Sequence, residues 1–258
     1  LKELSSYYKI EILEYAIMGN HFHLVIHAPA YKPEKTNRIA LDNKSQSKKN
    51  GKVTEGLKQK YSANSQHDIS HFMRIFQQRF TVYYNKAHNR RGSLWGDRFK
   101  STILEGRYAL WCCIQYVILN PVKALLSKAP GEYPFSSWGE YKSGGRHPFK
   151  INLIKHLAKV FNVASKKLSS FGIQSLLRFL DVSVSMITES KSQHDVSSIF
   201  CWSKTGNPWN SGVAVGSQKF ITEVDNELGQ RRSIHIADRQ PFTENVHPEL
   251  FCLQNLRI

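Results

Sequence analysis

A pair of histidines inside a short apolar run constrains this chain more than any other feature. The run covers residues 18–26, and its bulky, largely apolar character predicts a β-strand in which Phe22 separates His21 from His23. Side chains of a strand point alternately to its two faces. Both imidazoles are therefore expected on one face, with Phe22 and Leu24 on the other. Such a strand offers two nitrogen ligands to one divalent cation.

The same spacing has a plainer interpretation. Two histidines on a strand are more often hydrated or hydrogen-bonded than bound to a metal. His27 continues the same face, so this face accepts histidine more generally. The pair alone leaves both a metal site and an ordinary polar face open, and the choice depends on the rest of the chain.

The charge of the chain points to a polyanionic partner. It has 258 residues with 36 Lys and Arg against 20 Asp and Glu, a formal net charge of +16. Most of the excess lies before residue 131, in the half that carries the histidine pair. Nucleic acid is the simplest partner for such a half. A merely basic protein and an anionic membrane are the alternatives, but no basic amphipathic helix supports a membrane partner.

The chain has the composition of a cytoplasmic protein. No apolar run approaches the length of a membrane span, and we expect no signal peptide before the first predicted strand. A disulfide framework would be unusual in a chain of this size, so reduced thiols are expected at the four cysteines, Cys112, Cys113, Cys201 and Cys252.

The pattern of apolar residues predicts an α+β fold. Strand-like sequence covers residues 9–15, 16–28 and 94–104. Helical sequence covers residues 1–8, 69–85, 106–120, 151–161, 165–180 and 217–228, the last with Gly229 as its C-cap. Residues 32–68 are polar and carry nine basic residues, which predicts a mobile insertion, with its lysines including Lys44, Lys48, Lys49, Lys52, Lys58 and Lys60.

Two of these segments carry predicted faces. The helix over 69–85 has an apolar stripe assigned to core packing, namely Ile69, Phe72, Phe76, Phe80 and Tyr83. The strand over 94–104 is expected to turn Arg98 and Lys100 away from its apolar face. Those two cations are candidate phosphate contacts.

The helix over 106–120 carries the second half of a possible site. Tyr116 and Asn120 lie one turn apart, and Pro121 is expected to stop or kink the helix there. A metal held by two imidazoles and a side-chain carbonyl could polarise a phosphate oxygen while a tyrosine oxygen attacks phosphorus. Tyrosines at helix ends usually pack, and Tyr83, Tyr84 and Tyr108 are chemically equivalent candidates.

Three segments resemble the single-tyrosine HUH transposases, and among them the REP-associated tyrosine transposases. They are residues 16–26 (AIMGNHFHLVI), 92–101 (GSLWGDRFKS) and 116–124 (YVILNPVKA), in the same order and at similar spacing. The resemblance covers residues 1 to about 140, with a weaker similarity at 216–232. Three motifs in order are more specific than any one of them.

The resemblance implies a ferredoxin-like or RRM-like antiparallel sheet with flanking helices over residues 1–140. A mostly helical extension would follow over residues 141–258. It also implies Mg²⁺ or Mn²⁺ held by His21, His23 and Asn120, with Tyr116 as the nucleophile. Members cut single-stranded DNA beside palindromic hairpins, leaving a 5′-phosphotyrosine and a 3′-hydroxyl, and act as monomers or homodimers. Further candidate DNA contacts are Lys123, Arg231 and Arg232.

The chain departs from the family in three places. Gly19 stands where many relatives have proline, the polar insertion is longer, and the first strand of the family fold lies upstream of Leu1, so we expect a longer native chain. Two alternatives stay open: a catalytically silent DNA-hairpin-binding protein, and another HUH nickase such as a replication initiator or relaxase.

Overall fold

The computed structural model describes residues 1–29, 68–163, 170–189, 212–232, 239–241 and 251–254. Helices and strands are both present, so the predicted α+β class is confirmed. The helices are α1 (Lys2–Tyr7), α2 (Ile69–Ala87), α3 (Arg107–Lys123), α4 (Ser137–Gly144), α5 (Lys150–Val160), α6 (Ser170–Glu189) and α7 (Gln218–Arg232). The strands are β1 (Glu11–Ile17), β2 (Phe22–His27), β3 (Ile103–Leu104), β4 (Gly212–Gly216), β5 (Arg239–Pro241) and β6 (Phe251–Gln254).

The chain divides into two compact units. The first contains Leu1–Glu11 and Ile26–Phe99, and the second contains Ile12–Val25 and Lys100–Ile258. This division differs from the predicted boundary at residue 140, which stays a prediction about domains. The predicted insertion lies outside the described residues, apart from Asp68 at its end.

The first unit is built on α1 and α2. Tyr8 and Phe72 are fully buried and meet edge to face, with ring centroids 5.6 Å apart. The Tyr8 hydroxyl lies 2.6 Å from Nδ1 of His71, so its polar atom is satisfied in the interior. Helix α2 begins at Asp68, whose carboxylate accepts hydrogen bonds from the backbone amides of Ser70 and His71.

The strand predicted over residues 94–104 is wrong except at its end. Only Ile103–Leu104 is a strand, and the preceding residues are irregular. Trp95 is held by α2 instead, because its indole N–H donates to the backbone oxygen of Gln77 and its ring packs on Phe80. Arg98 and Lys100 therefore do not belong to a strand, and the basic strand face expected for them is not formed.

The second unit contains the histidine hairpin. Strands β1 and β2 form a two-stranded sheet whose turn is closed by the Met18 amide donating to the His21 oxygen, 2.8 Å. The Ile17 amide donates to the Phe135 oxygen, and the Tyr133 hydroxyl donates to the Ile17 oxygen. The end of β1 is thereby tied to the chain just before α4.

A buried polar cluster fixes the middle of β1. The carboxylate of Glu14 accepts a hydrogen bond from the Ser137 hydroxyl and lies 3.0 Å from Nε2 of His147, with all three side chains buried. The Phe149 amide donates to Nδ1 of His147, 3.2 Å, so Nε2 carries the ring proton and donates it to Glu14. A buried carboxylate is tolerated here because its oxygens are satisfied.

Helix α3 lies at the centre of the second unit. Its apolar residues Trp111, Ile114, Val117 and Ile118 are buried, as predicted, and so are Tyr116 and Asn120 on its other sides. A helix that is apolar all round belongs in a core. Of the two expectations for Pro121, a stop or a kink, the stop is wrong, because α3 continues for two residues to Lys123. The missing proline N–H removes one hydrogen bond near a helix end, where the loss is small.

The region after residue 141 contains strands as well as helices. Strands β3 and β4 are parallel, while β6 pairs antiparallel with β4 and β5, in the order β3-β4-β6-β5. Helix α7 runs through Gly229 to Arg232, so the expected C-cap at Gly229 is wrong. No helix in the described parts of the chain is long and apolar enough to cross a membrane.

Candidate active site

The hairpin brings the two predicted histidines together. Nε2 of His21 lies 3.2 Å from Nε2 of His23, and the ring centroids are 4.9 Å apart. His21 is exposed just before β2 begins, while His23 is partly buried within the strand. The expectation that both imidazoles share a face is confirmed by this short separation.

Asn20 sets the tautomer of His21. Nδ1 of His21 lies 2.7 Å from Oδ1 of Asn20. A carbonyl oxygen only accepts, so the ring proton is on Nδ1 and Nε2 of His21 keeps its lone pair. A polar group that orients a histidine through its second nitrogen is the usual outer support of a metal ligand. The sequence analysis did not predict this hydrogen bond, although the place of Asn20 directly before His21 could have indicated it.

His23 is held in its neutral form. Burial, then the neighbouring His21 and Lys123, lower the pKa of His23 from 6.5 to about 4. A neutral imidazole is the form that binds a metal ion, whereas imidazolium has no lone pair to give. With Nε2 of His21 unprotonated, the 3.2 Å contact is a hydrogen bond donated by Nε2 of His23, so a cation would bind the other neutral tautomer of His23.

Tyr116 lies beside the histidine pair. Its ring centroid is 5.5 Å from that of His23, with an interplanar angle of 83°. Lys123 is seven residues later, nearly two turns, and its Nζ lies 5.8 Å from the centre of the Tyr116 ring. The continuation of α3 through Pro121 is what brings Lys123 onto the face of Tyr116.

Asn120 is buried one turn after Tyr116. Its side-chain amide donates to the backbone oxygen of Tyr116, 3.3 Å, so Oδ1 is not used in that bond. Its assignment as a third metal ligand stays a prediction. Tyr108 lies two turns earlier on α3, about 12 Å along the helix axis from Tyr116, and Tyr83 and Tyr84 belong to the other unit.

The separation of the two Nε2 atoms is compatible with a shared divalent ion. Two nitrogens each about 2.1 Å from one cation are about 3.0 Å apart at an octahedral angle and about 3.4 Å apart at a tetrahedral angle. The observed 3.2 Å lies between these values and is also the length of a hydrogen bond. An exposed His21 beside a half-covered His23 also leaves one side of such a cation open to a ligand from solution.

The other predicted phosphate contacts lie on different parts of the chain. Arg98 is exposed in the first unit, with Nη2 3.5 Å from the Ser70 hydroxyl and its guanidinium beside Phe99. Lys100 is exposed at the start of the long segment of the second unit. Arg231 and Arg232 are the last residues of α7, and their side chains lie outside the described part of the structure.

Two thiols of α3 have raised pKa values. Cys112 and Cys113 on α3 are unbridged, and burial raises the pKa of each to about 12. Because the thiolate is the nucleophilic form of cysteine, neither cysteine is a better candidate nucleophile than Tyr116.

Comparison of the chain with protein-family models, with curated proteins and with solved structures finds no match.

Proposed function

We propose that this protein is a metal-dependent endonuclease and strand transferase for single-stranded DNA, acting next to palindromic hairpins in the cytoplasm. In this proposal residues 1–140 form the HUH endonuclease domain that the resemblance implies. The observation that carries it is the convergence of His21, His23 and Tyr116 in one small region. The net charge of +16 suits a nucleic-acid substrate.

The residues of the site support a covalent mechanism. The Tyr116 oxygen attacks phosphorus and loses its proton, and the bond from phosphorus to the 3′ oxygen breaks. The 3′ oxygen keeps the bonding electrons and takes up a proton, so the products are a 5′-phosphotyrosine and a 3′-hydroxyl. The ammonium of Lys123, 5.8 Å from the Tyr116 ring centre, stabilises negative charge as it develops on the phenol.

The two imidazoles have the second role. His21 and His23 would hold Mg²⁺ or Mn²⁺, which polarises a phosphate oxygen when bound. Asn20 keeps the ring proton of His21 away from that side, and burial keeps His23 neutral. The phosphotyrosine conserves a phosphodiester-type bond, so strand rejoining needs no nucleotide cofactor.

The decisive test is trapping of the covalent product. A 5′-phosphotyrosine adduct is expected when the protein is mixed with a labelled single-stranded hairpin and Mn²⁺, and none is expected for Tyr116→Phe. Tyr108→Phe is the matched control, because it removes a hydroxyl from the same helix outside the proposed pocket. An adduct that persists in Tyr116→Phe and is lost in Tyr108→Phe would contradict the assignment of the nucleophile.

One observation favours a second candidate function. Tyr116 is only 3% exposed, so its hydroxyl has little access to a phosphate in this conformation. A DNA-hairpin-binding protein without chemistry would tolerate such burial. Tight hairpin binding with no adduct in Mg²⁺ or Mn²⁺ would favour that alternative.

A further inference from the structure

A stripe on α2 displays two cations and an aromatic ring together. Arg79, Val82, Tyr83 and Lys86 occur at the spacing i, i+3, i+4 and i+7, which places them along one face of a helix. We call these four residues the α2 stripe. All four are exposed, and Tyr83 is 71% and Val82 64% accessible. The prediction that Tyr83 packs in the core is therefore wrong.

The surroundings of the α2 stripe are purely basic in sequence. Between Asp68 and Asp97 the chain has no Asp or Glu. Arg90 and Arg91 follow α2 directly and are exposed. Charges on the stripe thus have no carboxylate within α2 to neutralise them, while Glu3 of α1 lies, like Arg79, within electrostatic range of the Leu1 amino group.

Other rings of α2 already have partners. Phe80 packs against Trp95 with centroids 5.7 Å apart, and the Tyr84 ring is tilted by 32° against His88 with centroids 4.1 Å apart. The guanidinium of Arg90 lies 5.9 Å from the centre of the Tyr84 ring. Tyr83 projects from the same helix but has most of its surface open, so its ring is available to a planar partner.

We infer that the α2 stripe binds single-stranded DNA, with one base stacked on Tyr83 and adjacent phosphates near Arg79 and Lys86. An exposed ring between cations is the arrangement by which proteins hold unpaired bases, since stacking needs a free base face and the backbone needs positive charge. The two cations are about 10 Å apart along the helix axis. A second copy is a poor occupant, because this stripe would meet its own positive charge.

The choice of DNA as the polymer rests on the proposed function, whereas the surface itself lies in the unit that lacks Tyr116. The test therefore uses the full chain carrying Tyr116→Phe, with chelator present, so that binding is measured without cleavage. Fluorescence anisotropy with a labelled oligonucleotide that cannot form a hairpin, over a series of salt concentrations, reports both affinity and the slope of log K against log salt.

This measurement should distinguish the contribution of the Tyr83 ring to DNA binding from that of the two cations. Tyr83→Ala is expected to weaken binding about fivefold or more at every salt concentration and leave the slope unchanged, while Tyr83→Phe binds normally. Arg79→Gln and Lys86→Gln should each reduce the slope by about 0.7. Tyr108→Ala and Lys159→Gln are matched controls from the other unit and should change neither quantity.

Two results would overturn the inference. One is unchanged affinity in Tyr83→Ala, and the other is an equal loss of affinity for duplex DNA, which would make the surface a general backbone contact. The outcome is separable from that of the adduct experiment. If a covalent adduct forms but Tyr83→Ala does not change DNA binding, only the inference about the α2 stripe is overturned. If binding depends on the α2 stripe but no adduct forms, only the proposed cleavage chemistry is overturned.

Discussion

Helices α2 and α3 have similar lengths, 19 and 17 residues, and each carries tyrosine, yet they use it in opposite ways. Tyr116 of α3 is 3% exposed and fixed beside His23, whereas Tyr83 of α2 is 71% exposed. A buried tyrosine is positioned by its neighbours and suits a reaction at one point. An exposed tyrosine has little fixed contact and suits binding of a flexible polymer.

The composition of the two helices explains the contrast. Between Arg107 and Lys123, α3 has no charged residue, so it can be buried on every side. Helix α2 has Arg74, Arg79 and Lys86 distributed along its length, and these keep part of its surface in water. Four changes would test how far this contrast extends, and they follow from the largest expected effect to the smallest.

Loss of volume in α3 should have the largest effect. Ile118 is buried in the core of the second unit. Ile118→Ala should lower the free energy of unfolding by about 2–5 kcal/mol, because it removes buried apolar atoms and leaves a cavity. The matched change in α2, Val82→Ala, should stay within about 0.5 kcal/mol. Urea unfolding followed by circular dichroism measures both, and similar losses would contradict the contrast between the helices.

The pKa of His23 should make stability depend on pH. Its folded pKa of about 4 lies below the unfolded value of 6.5, so the unfolded chain takes up the proton first as pH falls. Between these values the stability decreases, by up to about 3 kcal/mol in total. Urea unfolding in chelator should show this loss, and His23→Gln should lack that part of it. Parallel pH profiles for the two proteins would show that His23 does not titrate in this way.

Loss of the Asn20 side chain should weaken metal binding without unfolding the hairpin. Asn20→Ala removes the acceptor that holds the ring proton of His21 on Nδ1, and Mn²⁺ affinity should fall about tenfold to a hundredfold. Calorimetric titration with Mn²⁺ measures it. Asn20→Asp keeps an acceptor oxygen and should recover most of the affinity. A metal affinity unchanged in Asn20→Ala would mean that His21 needs no such partner.

The smallest effect concerns the start of α2. Asp68→Ala removes the side chain that caps two backbone amides and should lower the free energy of unfolding by about 1 kcal/mol. Asp68→Asn keeps an acceptor oxygen, so it should lower the free energy of unfolding by a few tenths of a kcal/mol at most. Thermal unfolding of the three proteins makes the comparison. The N-cap of α3 is Gly106, which has no side chain to cap the helix. Of these two helices, only α2 can therefore lose stability through the loss of a side-chain cap.

Sequence patterns predicted what strong periodicity controls. The strand character of residues 11–17 and 22–27, the helices carrying Phe72 and Ile114, and the closeness of His21 to His23 were predicted from spacing, although His21 lies just before β2 begins. The tyrosine beside the pair needed more than spacing, because nothing in a helical period says which of several tyrosines meets a strand. The three ordered motifs supplied that choice, and the ring contact of Tyr116 with His23 agrees with it.

Other predictions failed where a tertiary contact replaced a local pattern. Apolar residues at 94–104 suggested a strand, but Trp95 satisfies its indole N–H on α2, and Gly92 adopts a positive φ of 91° that bends the chain. Tyr83 fits the apolar stripe of α2 by spacing, yet it lies just outside the part that is covered. Periodicity gives the face of a helix but not how wide a strip of it is buried.

The Glu14 cluster has a consequence for anyone who wishes to express the histidine hairpin by itself. A fragment ending at residue 140 would delete His147, leaving the Glu14 carboxylate buried with one donor fewer, a change that typically costs about 3–5 kcal/mol. It would also delete Asn152, whose amide donates to the Ile12 oxygen. A fragment extended through residue 163 keeps both, but it still lacks Leu177, Leu180 and Val184 of α6, which are buried in the same core as α3, so a folded piece must also include α6.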